Sequence, residues 1–204
     1  MMNKLQKLAL LVCSGSVLMM TACDKNSDDA APTADAKVTV KSVADLDGSK
    51  GNVYYSLSTG TQVTGADTAT NKWDIKFTST TISVNSGTSG TGTAQAQVVT
   101  STFADLTTAP ATGYKSDAAG APAISGWYTY TAFTSPQHAI LPVPGKIIVV
   151  KTNSGNYAKI EMQSYYKGNP DTTTPAFADL TTRPASRYYT FRYAYQSNGS
   201  TSLQ

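Results

Sequence analysis

Lys146-Ile-Ile-Val-Val-Lys151, then Thr152-Asn-Ser-Gly155, then Tyr157-Ala-Lys-Ile-Glu-Met-Gln-Ser-Tyr165 is the stretch on which the fold reading turns. Two β-rich runs separated by Lys151-Thr-Asn-Ser-Gly155, a turn rich in small polar residues, predict a hairpin over 146–165. Gly155 suits the positive φ that such a turn needs.

Working outward, the same two-residue period recurs. Trp73-Asp-Ile-Lys-Phe77 places Trp73, Ile75 and Phe77 on one face and Asp74 and Lys76 on the other, the pattern of a half-buried strand. Val38 and Val40 alternate with Thr39 and Lys41, and Asn52–Ser58 and Trp127–Thr131 read as strands. Arg187–Gln196 puts Tyr189, Phe191, Tyr193 and Tyr195 on one face. No window of helical length carries an apolar stripe. A short helix is expected at most around Val43–Leu46 or Phe103–Leu106. The fold class is therefore all-β and mostly antiparallel, with few or short helices.

Composition agrees. The chain has 204 residues, 16 Lys+Arg, 13 Asp+Glu, one His and two Cys. Twelve tyrosines and a single glutamate, Glu161, favour strands over helices. Charged residues make up only 14%, which argues against a disordered chain and against a clustered basic face for nucleic acid. One His and no Cys pair at ligand spacing exclude a zinc ribbon.

Residues 1–22 carry Lys4 and Lys7, an apolar run and the ending Met20-Thr21-Ala22-Cys23. This is the layout of an export signal ending in a bacterial lipobox. Small residues let the peptidase reach the bond, and the Cys23 thiol takes the lipid. Residues 1–22 are read as a lipoprotein signal peptide, 23–37 as the lipidated Cys and a flexible tether, and 38–204 as the β domain. Cys13 leaves with the signal and Cys23 is acylated, so the mature chain would hold no free thiol or disulfide. Asp28 and Asp29 resemble the acidic export signal of surface lipoproteins.

Two further motifs draw attention. Gly87-Thr-Ser-Gly-Thr-Gly92 lacks the Gly-Lys-Ser/Thr of a phosphate loop and reads as a flexible hairpin tip. Phe103-Ala-Asp-Leu-Thr-Thr-Ala-Pro-Ala111 recurs as Phe177-Ala-Asp-Leu-Thr-Thr-Arg-Pro-Ala185. Each copy is expected to cap a strand, with Asp or Thr turning the chain and Pro ending the turn.

The ordered set Trp73–Phe77, Phe103 with Pro110 and Gly113-Tyr114, Gly126-Trp-Tyr-Thr-Tyr130, Pro142–Thr152, Ser154–Ile160, Ser164-Tyr-Tyr166 and the terminal tyrosine strand resembles the HmuY family over roughly 50–204. These are surface or secreted haem-binding lipoproteins of Bacteroidota. The resemblance implies a HmuY-like antiparallel fold and capture of haem or porphyrin. It also implies delivery to an outer-membrane receptor of the TonB-dependent kind, for iron acquisition. It places the protein in the outer membrane at the cell surface; the lipobox adds the Cys23 lipid as the anchor, and the sparse charge argues against a nucleic-acid partner. The recurring motif residues, Trp73, Phe77 and Trp127 among them, are expected to build the scaffold, with Lys151 and Lys159 on solvated strand faces.

The founding pattern uses two axial histidines, and this chain departs from it. No His lies between Gly113 and Gly126, the second ligand's position falls near Ala132, and Met162 sits inside a predicted strand. His138 remains, in the loop Ala132–Pro144, with Tyr128 and Tyr130 as further ligand candidates. A single His or Tyr can hold haem. Phe133, Ile140 and Leu141 are candidates to cover the porphyrin, and Lys115, Arg183 and Arg187 to meet its propionates. No catalytic residues are assigned: Gly-x-Ser-x-Gly is absent, and the chain is read as a binding protein rather than an enzyme. The alternative is a surface β domain that binds a carbohydrate or a protein and no haem.

Overall fold

The computed structural model describes residues 38–204. Residues 1–37, on which the readings of a signal peptide, a Cys23 lipidation site and a tether fall, lie outside the described residues. Eleven strands form three sheets. In chain order they are β1 (Val38–Asp47), β2 (Val53–Ser56), β3 (Thr61–Val63), β4 (Ile75–Thr78), β5 (Thr81–Val84), β6 (Gln95–Thr100), β7 (Tyr128–Tyr130), β8 (Ile140–Pro142), β9 (Lys146–Lys151), β10 (Tyr157–Tyr166) and β11 (Ser186–Gln196). The five-stranded sheet runs β1-β11-β10-β9-β6, the four-stranded sheet β3-β2-β4-β5, and β7 pairs with β8 alone. Every strand pairing is antiparallel.

The predicted hairpin is β9–β10, with Tyr157 opposite Lys151 and Gly155 at φ +80°. The two larger sheets face each other through aromatic residues. Tyr55 meets Phe191 edge-on at 5.6 Å, and Phe77 stacks on Tyr189 at 4.5 Å between ring centroids. The period-two reading of β11 holds: Tyr189, Phe191, Tyr193 and Tyr195 are all buried in this core.

The opposite face of the five-stranded sheet is buried too. Ile147, Val149 and Ala194 pack there under Phe103, Ala109 and Leu203. A strand covered on both faces cannot alternate, which explains the continuous Ile147-Ile-Val-Val150 run, all fully buried.

Several expectations need correction. Val43–Leu46 is not helical; it lies in β1 at a register shift against β11, where Asp45 takes φ +51°. Phe103–Leu106 forms turns, and the short α1 (Pro175–Ala178) lies instead at the second repeat copy, with Thr174 as its N-cap. Gly65–Ala69 adds one 3-10 turn. The Gly87–Gly92 loop is wedged in place rather than free: a Cβ on Gly87 would come within 1.9 Å of the Asp117 carbonyl oxygen, and Gly92 N donates to Asn85 Oδ1 at 3.0 Å. Asp74 is 5% exposed and Lys159 4% exposed, so neither lies on a solvated face.

The two ends of the five-stranded sheet differ. Val38, Gln196, Tyr157, Lys151 and Gln95 lie in register across one end. Tyr166 marks the other end of β10. Ten residues of β10 at about 3.3 Å each separate the two by roughly 30 Å. The β7–β8 hairpin docks at the Tyr166 end, where Ile140 N donates to Tyr166 Oη at 3.0 Å. Phe177 of α1 packs edge-on against the same Tyr166 ring at 4.8 Å.

Candidate functional site

The β7–β8 hairpin brings three of the sequence-picked residues together. Tyr130 faces Ile140 across the ladder, and the loop 131–139 returns the chain to it. Thr131 pins that loop. Its Oγ1 donates to the Pro136 carbonyl at 2.5 Å and accepts Ala139 N at 2.9 Å, while Thr131 N donates to Ala139 O at 3.0 Å. His138 N donates to Ala132 O at 2.7 Å, with both residues at positive φ, +53° and +49°. Non-glycine residues in that region are held there by their surroundings, a frequent condition at binding sites.

This geometry sets the His138 ring beside Tyr130. Tyr130 Oη lies 2.6 Å from His138 Nδ1, and the Phe133 ring meets the imidazole edge-on at 5.3 Å. All three are exposed, Phe133 at 80% and Tyr130 at 53%. The hydrogen bond governs what the ring can do. When Nδ1 carries the proton it donates to the tyrosine oxygen, and Nε2 is left with a lone pair. A ligating histidine is usually oriented in this way by an acceptor on its other nitrogen.

The remaining candidates fall elsewhere. Tyr128 is half-buried, pairs across from Pro142 and packs on Trp127 at 4.9 Å. Ile140 and Leu141 are half-buried against the main core and anchor the hairpin. Lys115 bridges to Ala96, near the far end of the sheet. Arg183 is engaged, with Nε donating to Phe177 O at 2.8 Å. Arg187 is exposed at the start of β11, at the Tyr166 end. Sequence reasoning missed the roles of Thr131 and Tyr166, whose hydroxyls hold the loop and the hairpin; both fall in stretches read as strand or scaffold, where nothing marks a hydroxyl that bonds to a distant backbone group.

The HmuY protein family model matches residues 49–178. The chain belongs to the HmuY family. Among solved structures, the apo HmuY analogue of Tannerella forsythia is 15% identical, with 80% of this chain and 100% of that chain covered and a TM-score of 0.52. A Bacteroides fragilis protein assigned as a lipoprotein is 14% identical over 81% of this chain and 92% of that one, with a TM-score of 0.50. At such identities the likeness is one of fold. The curated proteins contain no match. The HmuY-like scaffold is thus the sheet pair with its appended β7–β8 hairpin, and the hairpin loop carries the one histidine.

Proposed function

We propose that this HmuY-family chain captures haem or a related porphyrin at the β7–β8 hairpin, with His138 as the axial ligand. The observation that carries the reading is the Tyr130–His138 pair at 2.6 Å on an exposed loop, with Phe133 beside it. Haem would supply an iron that accepts the Nε2 lone pair and a flat apolar face. The residues present fit such a group. Tyr130 orients the imidazole, Thr131 fixes the loop, and the exposed Phe133 ring beside His138 offers an apolar face. The chain has one histidine, so His138 would be its single histidine ligand to such a group.

Anchoring through Cys23 at the cell surface and hand-over to an outer-membrane receptor complete the reading. The lipobox supports the first, and membership of the HmuY family supports the second. An exposed site suits transfer, since a partner can reach haem without unfolding the carrier.

The test is a haemin titration of the chain, followed by visible absorbance in oxidised and reduced forms, beside His138→Ala. A saturable one-to-one Soret change that the variant loses supports the reading. Saturable binding unchanged in the variant moves the ligand away from His138, and no saturable binding removes haem as the cargo.

A further inference from the structure

At the opposite end of the molecule from His138 lies a hydrophilic groove of about 640 Å³, within the size range of small-molecule sites. Its walls come from the β2–β3 turn, the 3-10 turn with the residues after it, and the tip of the β9–β10 hairpin. Ser58, Thr61, Gln62, Thr64, Asn71 and Ser154 line it, all exposed. Val63 is the one apolar residue among the lining. A second depression of about 650 Å³ lies against the same hairpin tip, and the two share Asn153 and Ser154.

The groove is built, not a gap between mobile side chains. Asn153 Nδ2 donates to Asn71 O at 3.0 Å and Trp73 O at 2.7 Å. Its Oδ1 accepts Thr93 N at 2.8 Å and Ala94 N at 3.0 Å. This locks the hairpin tip onto the smaller sheet. Asp74 also lines the groove and is nearly buried; it accepts Leu57 N at 2.8 Å and Asn153 N at a longer 3.4 Å. Neither ion pair found among the described residues involves Asp74.

The chemistry of the lining selects the ligand. A porphyrin or lipid chain would find a single apolar side chain, Val63, in a lining that is mostly polar. An anion would find Lys72 already paired with Asp67 at 2.9 Å and a carboxylate in the lining. A sugar hydroxyl both donates and accepts, as do the serine and threonine hydroxyls and the amides that face it. We propose that this groove binds a neutral carbohydrate, a mono- or disaccharide, with longer chains extending across the hairpin tip into the second depression. The proposal is independent of the haem reading.

The test uses the isotopically labelled full chain, titrated separately with glucose, galactose and N-acetylglucosamine while amide resonances are followed. The expected result is a saturable shift of Thr61, Gln62, Lys72 and Ser154 with at least one sugar, while Tyr130 and His138 stay still. In Gln62→Ala and Ser154→Ala, both rim changes that leave the core intact, the affinity falls about fivefold or more, roughly the loss of one hydrogen bond. The proposal is overturned if no sugar shifts these resonances by about 50 mM, the weakest binding worth the name. It is equally overturned if both variants bind as the parent does, or if inorganic phosphate gives the same shifts more tightly.

Discussion

Lys159 Nζ donates to the carbonyl oxygens of Phe103 at 2.6 Å and Leu106 at 2.8 Å and stands 4.6 Å from the Phe103 ring centroid. Arg183 does the same for the second repeat copy, donating to Phe177 O and lying 4.8 Å from the Phe177 ring. Each copy therefore buries its Phe and has its turn carbonyls met by a cation. Burial, with Arg192 nearby, lowers the Lys159 pKa, yet its ammonium is fully used. Lys159→Met strips buried carbonyls of their donor and should destabilise by about 2 kcal/mol. Arg183→Met, at a half-buried site, should lose about 1 kcal/mol or less. Urea unfolding of both variants checks this, and equal losses would contradict the asymmetry.

Asn153 joins the two sheets through four hydrogen bonds to residues about 60 and 80 positions away. In Asn153→Ala, Trp73 O keeps Asn85 Nδ2 and Ala94 N keeps Asn85 O, while Asn71 O and Thr93 N lose the amide at exposed positions, so the expected cost is about 1–2 kcal/mol. A urea midpoint within experimental error of the parent would show that water replaces the amide freely.

Thr131→Val removes both the donor to Pro136 and the acceptor for Ala139 while keeping side-chain volume. Stability should fall by about 1 kcal/mol, because the loop is exposed and its rim can hydrate. The haemin affinity should fall more than the stability does, since the hydroxyl sets the path of the loop that presents His138. Affinity unchanged in a folded variant would remove Thr131 from the site.

Tyr130→Phe deletes the acceptor for His138 Nδ1 and leaves the aromatic ring in place. Loss of such an orienting partner weakens metal ligation by about 10–100-fold. Haemin titration should show the drop, with a shifted Soret band, while His138→Ala abolishes ligation. A Tyr130→Phe variant that binds as the parent does would mean the tyrosine only packs.

Burial pushes the hydroxyls of Tyr55, Tyr114, Tyr189 and Tyr193 above the usual 10, Tyr114 to about 12 with Tyr157 adding to the effect. A raised folded pKa favours the neutral form in the native state. Its contribution is fully present below pH 10 and is lost as pH rises through 10 to about 12 and beyond. Urea midpoints should decline above about pH 10, and a subset of the tyrosines should resist ionisation until the chain unfolds. Uniform titration of all twelve before any loss of structure would contradict this.

The strands were legible where a buried face alternates with a more exposed one, as in β4, and where a turn separates two β-rich runs, as in β9–β10. The pattern misled at Asp74 and Lys159. Their charges mark solvent in a two-residue period, but here backbone N–H groups and carbonyls meet them, contributed by residues up to 79 positions away. His138, Tyr130 and Phe133 could be named as a neighbourhood because they sit within nine residues of each other. That Tyr128, Ile140 and Leu141 are committed to the core depends on how the hairpin docks, which one strand's sequence does not contain. The polar groove was invisible for the same reason: three separated segments make it.

The sheet also has a direction. β1 begins at the end marked by Gln196 and Tyr157, and the His138 loop sits at the other, roughly 30 Å away along β10. The proposed attachment at Cys23 precedes Val38 in the chain, so the chain enters the described sheet at the end away from the imidazole. On the proposed surface anchoring, a fluorophore at position 133 on intact cells would be quenched from the medium by a bulky impermeant reagent, and shielding of that position would argue against it. On the proposed haem reading, the cargo would be carried at the end of the sheet remote from the strand end at which the tether joins.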